Sequence, residues 1–158
     1  MSLIARASVL LLVCSGLTGC GFFPSDPTNP DVGVIALPSG QLEVKIPLCP
    51  GTSVTAVSAS VFAKEDGEPE RPMWRASGFA NQIGVIVLGE KPASGKASGS
   101  LPSAVGKRYL AISWSAPQGG PDTVVTLADA LKSAPPTGEF WTWNGARSAA
   151  WIDSQLHC

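Results

Sequence analysis

Glycine and proline interrupt this chain so often that its sequence disfavours long helices. The 158 residues include 17 Gly and 14 Pro, and clusters of Gly, Pro and Ser occupy residues 91–100 and 117–121. Between the clusters lie short runs in which apolar and polar residues alternate, the period expected of a strand with one buried face. We therefore expect many short strands joined by turns and loops.

Seven such runs predict an all-β fold. One of them, residues 83–88, is continuously apolar and rich in β-branched side chains, which at this length favours a strand over a helix. Ser148 can cap a short C-terminal helix that extends to about Leu156, and residues 127–132 can form a single helical turn. The predicted fold class is an antiparallel, immunoglobulin-like β-sandwich with a short C-terminal helix. The predicted strands are residues 41–46, 55–63, 72–77, 83–88, 109–114, 123–127 and 139–143.

Residues 1–19 have the organisation of an export signal. Arg6 is the only charged residue among them. The apolar stretch at residues 7–13 is too short for a permanent transmembrane helix, which needs about 20 apolar residues. Small residues follow it, as at a cleavage site. The four residues that end this region resemble the lipobox of bacterial lipoprotein signal peptides: Leu17-Thr18-Gly19-Cys20.

The lipobox resemblance implies that the chain is cleaved before Cys20 and that the Cys20 thiol carries diacylglycerol. Two acyl chains anchor a protein stably, so the predicted location is the extracytoplasmic face of the cell membrane, with the membrane as one partner. Residues 20–31, with a proline at every third position from Pro24 to Pro30, form the predicted tether. Residues 32–158 form the predicted domain. The alternative is an ordinary export signal followed by an incidental Cys20.

Two further cysteines, Cys49 and Cys158, remain after the lipobox cysteine. In an exported protein an even pair of thiols is expected to form a disulfide. This bond would link the start of the predicted domain to the region of the C-terminal helix. The alternative is a redox pair, but redox pairs usually have closely spaced cysteines.

The region from Cys49 to Cys158 carries a second resemblance. It is similar to a group of actinobacterial lipoproteins that share a lipobox, a Pro-rich tether, a Cys-Pro-Gly start before a Val-x-x-Val strand, and a terminal Cys. The resemblance supports the predicted fold and disulfide and implies no activity, because the group has none assigned. The corresponding residues are Cys49-Pro50-Gly51, Val54, Val57 and Cys158.

The residue inventory disfavours the common catalytic and metal-binding sites. His157 is the single histidine, which leaves few residues for a Ser-His-Asp triad or a zinc site, and no Gly-x-Ser-x-Gly motif occurs. The acidic residues between Glu65 and Glu70 lack EF-hand spacing, so they indicate a solvated loop rather than a calcium site. A formal net charge of −1 gives no indication of nucleic-acid binding. We expect a non-enzymatic protein without metal or cofactor, although two carboxylates brought together in space could still form a glycosidase site.

Trp141 and Trp143 are the candidate ligand-binding residues. Their spacing of two places both on one face of a strand, where they could form a platform for a sugar ring. Alternatively, they pack against the sandwich core, with Phe140 and Thr142 on the other side. The predicted function is a binding or structural module of the cell envelope with a protein partner, and the alternative is a carbohydrate-binding module.

Overall fold

The structure described here is a computed structural model of the chain. Outside the described residues lie the predicted export signal, Cys20, the tether up to residue 28, and the acidic side chains between Glu65 and Glu70. The described residues are 29–63, 67, 71–81 (of Asn81 only the backbone), 83–117 and 119–158.

Strands make up most of the regular structure in this part of the chain, and one short helix follows them. The elements are β1 (Gly33–Ala36), β2 (Leu42–Lys45), β3 (Val54–Phe62), β4 (Trp74–Asn81), β5 (Val85–Val87), β6 (Lys96–Gly99), β7 (Tyr109–Ser115), β8 (Asp122–Thr126), β9 (Glu139–Thr142), β10 (Gly145–Ser148) and α1 (Ala149–Ser154).

The strands form two five-stranded sheets. Sheet A has the order β10-β9-β1-β2-β5, and sheet B has the order β6-β4-β3-β7-β8. Every strand pair is antiparallel. The predicted antiparallel β-sandwich with a short C-terminal helix is therefore confirmed.

The core lies between the two sheets, and strand alternation produces it. Along β3, Val57, Ala59 and Val61 point inward and are 2%, 1% and 0% exposed, because alternate side chains of a strand lie on opposite faces. Both sheets contribute further buried apolar side chains to the same cluster: Val34, Leu42, Val44, Ile86, Trp74, Leu110, Ile112 and Trp114.

Three strands were not predicted, namely β1, β6 and β10, and β6 lies within residues 91–103, where a loop was expected. The predicted helical turn at residues 127–132 is a series of hydrogen-bonded turns rather than α-helix, with Leu131 N donating to Leu127 O at 3.0 Å. The predicted cap at Ser148 is confirmed, because its side chain accepts a hydrogen bond from Trp151 N at 3.2 Å. The helix ends at Ser154, two residues earlier than expected.

The chain crosses between the sheets at one end of the sandwich. Gly84, in the short connection from β4 to β5, has φ +70°, and an added Cβ there would collide with Ile46 O, so glycine suits this crossing. The connection joins Asn81, which pairs with Val54, to Val85, which pairs with Lys45. The ends of β2, β3, β4 and β5 therefore meet here.

The N-terminal residues of the described chain lie at this same end. Asn29 Nδ2 donates to Asp122 O at 3.1 Å, and the Asp31 carboxylate accepts from Asn144 Nδ2 at 2.6 Å in the turn between β9 and β10. We call this region the tether end, and it comprises residues 29–31, residues 46–53, Ile83 and the turn residues 143–144.

Candidate functional site

The two sheets differ in what lies against their outer faces. On sheet A, α1 packs over β1 and β9, and Ile152 and Phe140 are only 0% and 7% exposed. Gly33 makes this approach possible, because an added Cβ would lie 2.5 Å from Phe140 Cβ and 2.6 Å from Ile152 Cδ1. We call this surface the covered face.

A lysine is buried beneath the covered face. Lys45 is 1% exposed and forms an ion pair with Asp153 of α1, and its ammonium also donates to Ile46 O at 2.9 Å. The same Asp153 oxygen accepts from Leu48 N at 2.8 Å. A buried charge is tolerated only when it is paired and hydrogen-bonded, so Asp153 both positions α1 and compensates the charge of Lys45.

The C-terminal residues are held to the same region by further bonds. Cys49 and Cys158 form a disulfide with 5.8 Å between their Cα atoms, which confirms the predicted pair. The Gln155 side chain bonds the backbone of Asp31 twice, accepting from its N–H at 2.7 Å and donating to its carbonyl at 3.1 Å. Helix, disulfide and N-terminal residues together close the outer side of sheet A.

The outer face of sheet B carries small side chains along two neighbouring strands, β3 and β7. The outward positions are Ala and Ser over most of both strands, and the register pairs Ser58 with Ser113 and Ser60 with Ala111. At the far end of the face, Phe62 pairs with Tyr109 and their rings stack. Ser60 is buried, and its hydroxyl accepts from Met73 N at 3.0 Å. We call this surface the open face, defined by Ala56, Ser58, Ser60, Ala111 and Ser113.

Two adjoining depressions occupy the open face, with Ser58 and Ser113 lining both. The first, of about 510 Å³, is bordered by Arg75 and Lys96. The second, of about 480 Å³, is bordered by Asp122, Pro72 and Val124. Small side chains at the centre of a sheet leave room for larger side chains of a ligand, and the charged residues at the borders can orient it.

The open face suits an apolar group that carries a negative charge beside it. Ala56 and Ser58 give the floor of the first depression little polar character beyond hydroxyls, while the exposed Arg75 and Lys96 offer two cations on one side. A carboxylate next to an apolar side chain would satisfy both features, because guanidinium and ammonium groups donate charge-assisted hydrogen bonds to carboxylates.

The structure places the two candidate tryptophans in different environments. Trp141 is half-buried and packs against the core, and its Nε1 donates to Ser133 O at 2.9 Å. Trp143 lies in the turn after β9 and is 73% exposed. Phe140 and Thr142 point to the covered face and are buried. The two indole rings therefore do not form one exposed platform.

The described part of the structure adds no candidate catalytic or metal-binding residue. His157 is exposed beside the disulfide cysteine. Within the described residues, no group of three or more His, Cys, Asp or Glu side chains is placed to hold a metal ion. None of the helices in that same part of the chain is long and apolar enough to cross a membrane.

Comparison with known proteins adds no relative. No family model, curated protein or solved structure is significantly similar to this chain.

The open face and the Lys45–Asp153 pair were not predicted from the sequence. The signal for the open face is the run of Ala and Ser at alternate positions of two strands, residues 56–60 and 111–115. This pattern indicates a surface of small side chains only when β3 and β7 are known to be neighbours.

Proposed function

We propose that this chain is a lipid-anchored, non-enzymatic binding module at the extracytoplasmic face of the cell membrane. Its ligand is a segment of an envelope protein that lays an apolar side chain and a neighbouring carboxylate on the open face. The observation that carries the binding proposal is the pair of adjoining depressions on the outer face of sheet B, the first of which is bordered by Arg75 and Lys96.

The anchor is supported by the sequence. The lipobox-like residues 17–20 follow a charged start and a short apolar stretch. The Cys49–Cys158 disulfide fits an exported protein, because disulfides persist mainly in oxidising compartments. Mass spectrometry of the full chain purified from bacterial membranes tests the anchor: an N-terminal Cys20 bearing acyl chains is expected, and an intact leader would contradict it.

A protein segment is favoured over a sugar by the arrangement of aromatic residues. Sugar rings are commonly recognised by exposed flat rings, and the sugar hypothesis needed Trp141 and Trp143 side by side. Trp141 is instead engaged with the core and with Ser133. The open face combines methyl groups, hydroxyls and two cations, which suits the side chains and carboxylates of a polypeptide.

Site-specific photo-crosslinking tests the binding proposal in the full chain. A photoreactive residue replaces Ser58 on the open face or, as the matched control, the exposed Ser133 on the loop before β9. We expect a discrete protein adduct from position 58 and none from position 133 in intact cells. The adduct should disappear in a Ser113→Arg background, because the added side chain fills the space shared by both depressions.

Two results would contradict the proposal. One is an adduct of equal yield from positions 58 and 133. The other is an adduct at position 58 that survives Ser113→Arg, since binding on the open face cannot tolerate a guanidinium there. Equal thermal melting of Ser113→Arg and Ser133→Arg would show that the first substitution acts on binding rather than on folding.

A further inference from the structure

Among the described residues, strongly exposed apolar side chains occur at both ends of the sandwich, and the strongly exposed tryptophan lies at the tether end. The large apolar side chains that are most exposed among the described residues are Ile83 at 69%, Val105 at 75%, Val124 at 47% and Trp143 at 73%. Val124 borders the open face. Val105 lies at the opposite end, because the adjacent Ala104 N donates to Gly40 O in the turn between β1 and β2.

Trp143 is next in sequence to a residue that is hydrogen-bonded to the start of the domain. Its neighbour Asn144 donates to the Asp31 carboxylate at 2.6 Å, and Asp31 is also held through its backbone by Gln155. Two residues earlier, Asn29 is bonded to Asp122. Trp143 therefore lies close to the first residues of the described chain.

The length of the tether limits the distance between Cys20 and the domain. Asn29 lies nine positions after Cys20, and a fully extended chain of that length spans at most about 30 Å. If Cys20 carries lipid, the tether end is the part of the domain held nearest to the membrane, while Val105 is directed away from it.

Two exposed apolar side chains, those of Trp143 and Ile83, lie at the tether end. Trp143 follows β9, and Ile83 precedes β5. These two strands are three strand spacings apart in sheet A, which corresponds to about 14 Å. Tryptophan is the side chain most typical of the membrane–water interface, because its ring is apolar and its N–H is polar.

We infer that the tether end docks on the lipid surface of the membrane that anchors the chain, with Trp143 inserted at the level of the headgroups and Ile83 beside it. This inference rests on the proposed lipid anchor. It specifies the orientation of the domain: Trp143 lies against the lipid, and Val105 points into the aqueous space. The contact relies on the two apolar side chains. Because the Asp31 carboxylate lies at the tether end, anionic lipids should weaken the contact.

Quenching of tryptophan fluorescence by lipid-borne bromine tests the inference. The acylated full chain is reconstituted into phosphatidylcholine vesicles with and without brominated acyl chains. We expect the brominated lipid to quench about a fifth of the emission, the share of one tryptophan among five. The quenching should be lost in Trp143→Phe. It should not return in Trp143→Phe/Val105→Trp, which moves the indole to the opposite end and is the positional control.

The outcomes separate the inference from the anchor on which it rests. Acyl chains on Cys20 together with equal quenching in the wild type and Trp143→Phe would overturn the docking while leaving the anchor in place. Quenching restored by the tryptophan at position 105 would also overturn it, because the domain would then have no preferred orientation. An unmodified Cys20 in the mass spectrum would remove the anchor and the docking together. Unchanged circular dichroism of both variants shows that the fold is retained.

Discussion

The two outer faces of the sandwich are completed in opposite ways. Sheet A is closed by α1, by the Lys45–Asp153 pair and by the Cys49–Cys158 disulfide. Sheet B has small side chains along β3 and β7 and two depressions above them. Among the described residues, one face therefore carries bonds that stabilise the fold, and the other carries the surface that we propose for binding. The ion pair and the disulfide, which should contribute most to stability, are thus separated in the structure from the surface proposed for the ligand.

Loss of the disulfide should produce the largest change. In the chain-entropy account, a crosslink between residues 109 positions apart stabilises a protein by about 4–5 kcal/mol. We expect Cys49→Ser/Cys158→Ser to lower the free energy of unfolding by about that amount, measured by denaturant titration. Reduced wild-type protein should show the same loss. If oxidised and reduced protein unfold at the same denaturant concentration, the covered face does not depend on the bond.

Removal of the carboxylate above Lys45 should have the next largest effect. Asp153→Ala leaves a buried ammonium without its counter-ion and the Leu48 N–H without its acceptor. We expect a loss of about 2–3 kcal/mol, below the range for fully buried pairs because the Asp153 side chain is 38% exposed. The measurement is denaturant unfolding of the oxidised protein.

The control for this substitution removes the lysine charge as well. Lys45→Met/Asp153→Ala replaces the stranded ammonium by an apolar side chain of similar length, so it should regain part of the stability lost in Asp153→Ala. A double variant less stable than Asp153→Ala would show that Lys45 stabilises the domain by contacts other than the ion pair.

Added volume should separate the two faces more directly. Gly33→Ala places a methyl group 2.5 Å from Phe140 Cβ under α1, and such overpacking costs about 1–3 kcal/mol. Ala56→Val adds more volume on the open face, yet it should change stability by no more than about 0.5 kcal/mol, since Ala56 lines a depression that has room for the added methyl groups. Thermal unfolding of both variants tests the contrast, and equal losses would mean that the open face is packed as tightly as the covered one.

The sequence predicted the strands whose own side chains carry the signal. Residues 41–46, 55–63 and 109–114 alternate because one face of each is buried, and β2, β3 and β7 lie there. By contrast, every residue of β6 is exposed, and this strand is held by pairing with β4. The strand forms by pairing with residues that are distant in sequence, so no local pattern predicted it.

The burial of Lys45 is a second feature that no local sequence pattern predicts. Alternation along residues 41–46 places Lys45 on the polar side of β2, where it would be expected to meet solvent. The residue is 1% exposed because α1, more than a hundred residues later, covers that side. The disulfide could be predicted because it followed from cysteine number and compartment. Which sheet is covered depends on the docking of α1, and this cannot be derived from periodicity.

The smallest effect on stability is expected from charge reversal at the border of the open face. Arg75 and Lys96 are exposed and border the first depression, so Arg75→Glu/Lys96→Glu should change the free energy of unfolding by no more than about 0.5 kcal/mol. Its effect on binding should be large, because two cations that face a ligand carboxylate become two anions that repel it. The yield of the adduct from a photoreactive residue at position 58 should fall at least about tenfold, the change that corresponds to 1.4 kcal/mol.

The matched control, Lys132→Glu, reverses an exposed charge on the loop after β8 and should leave the yield unchanged. If the double variant keeps the full yield, the ligand is held by shape alone and the proposed carboxylate is not part of it. If the variant instead unfolds more easily by several kcal/mol, these two residues support the sheet, and the division between a stabilising face and a binding face fails.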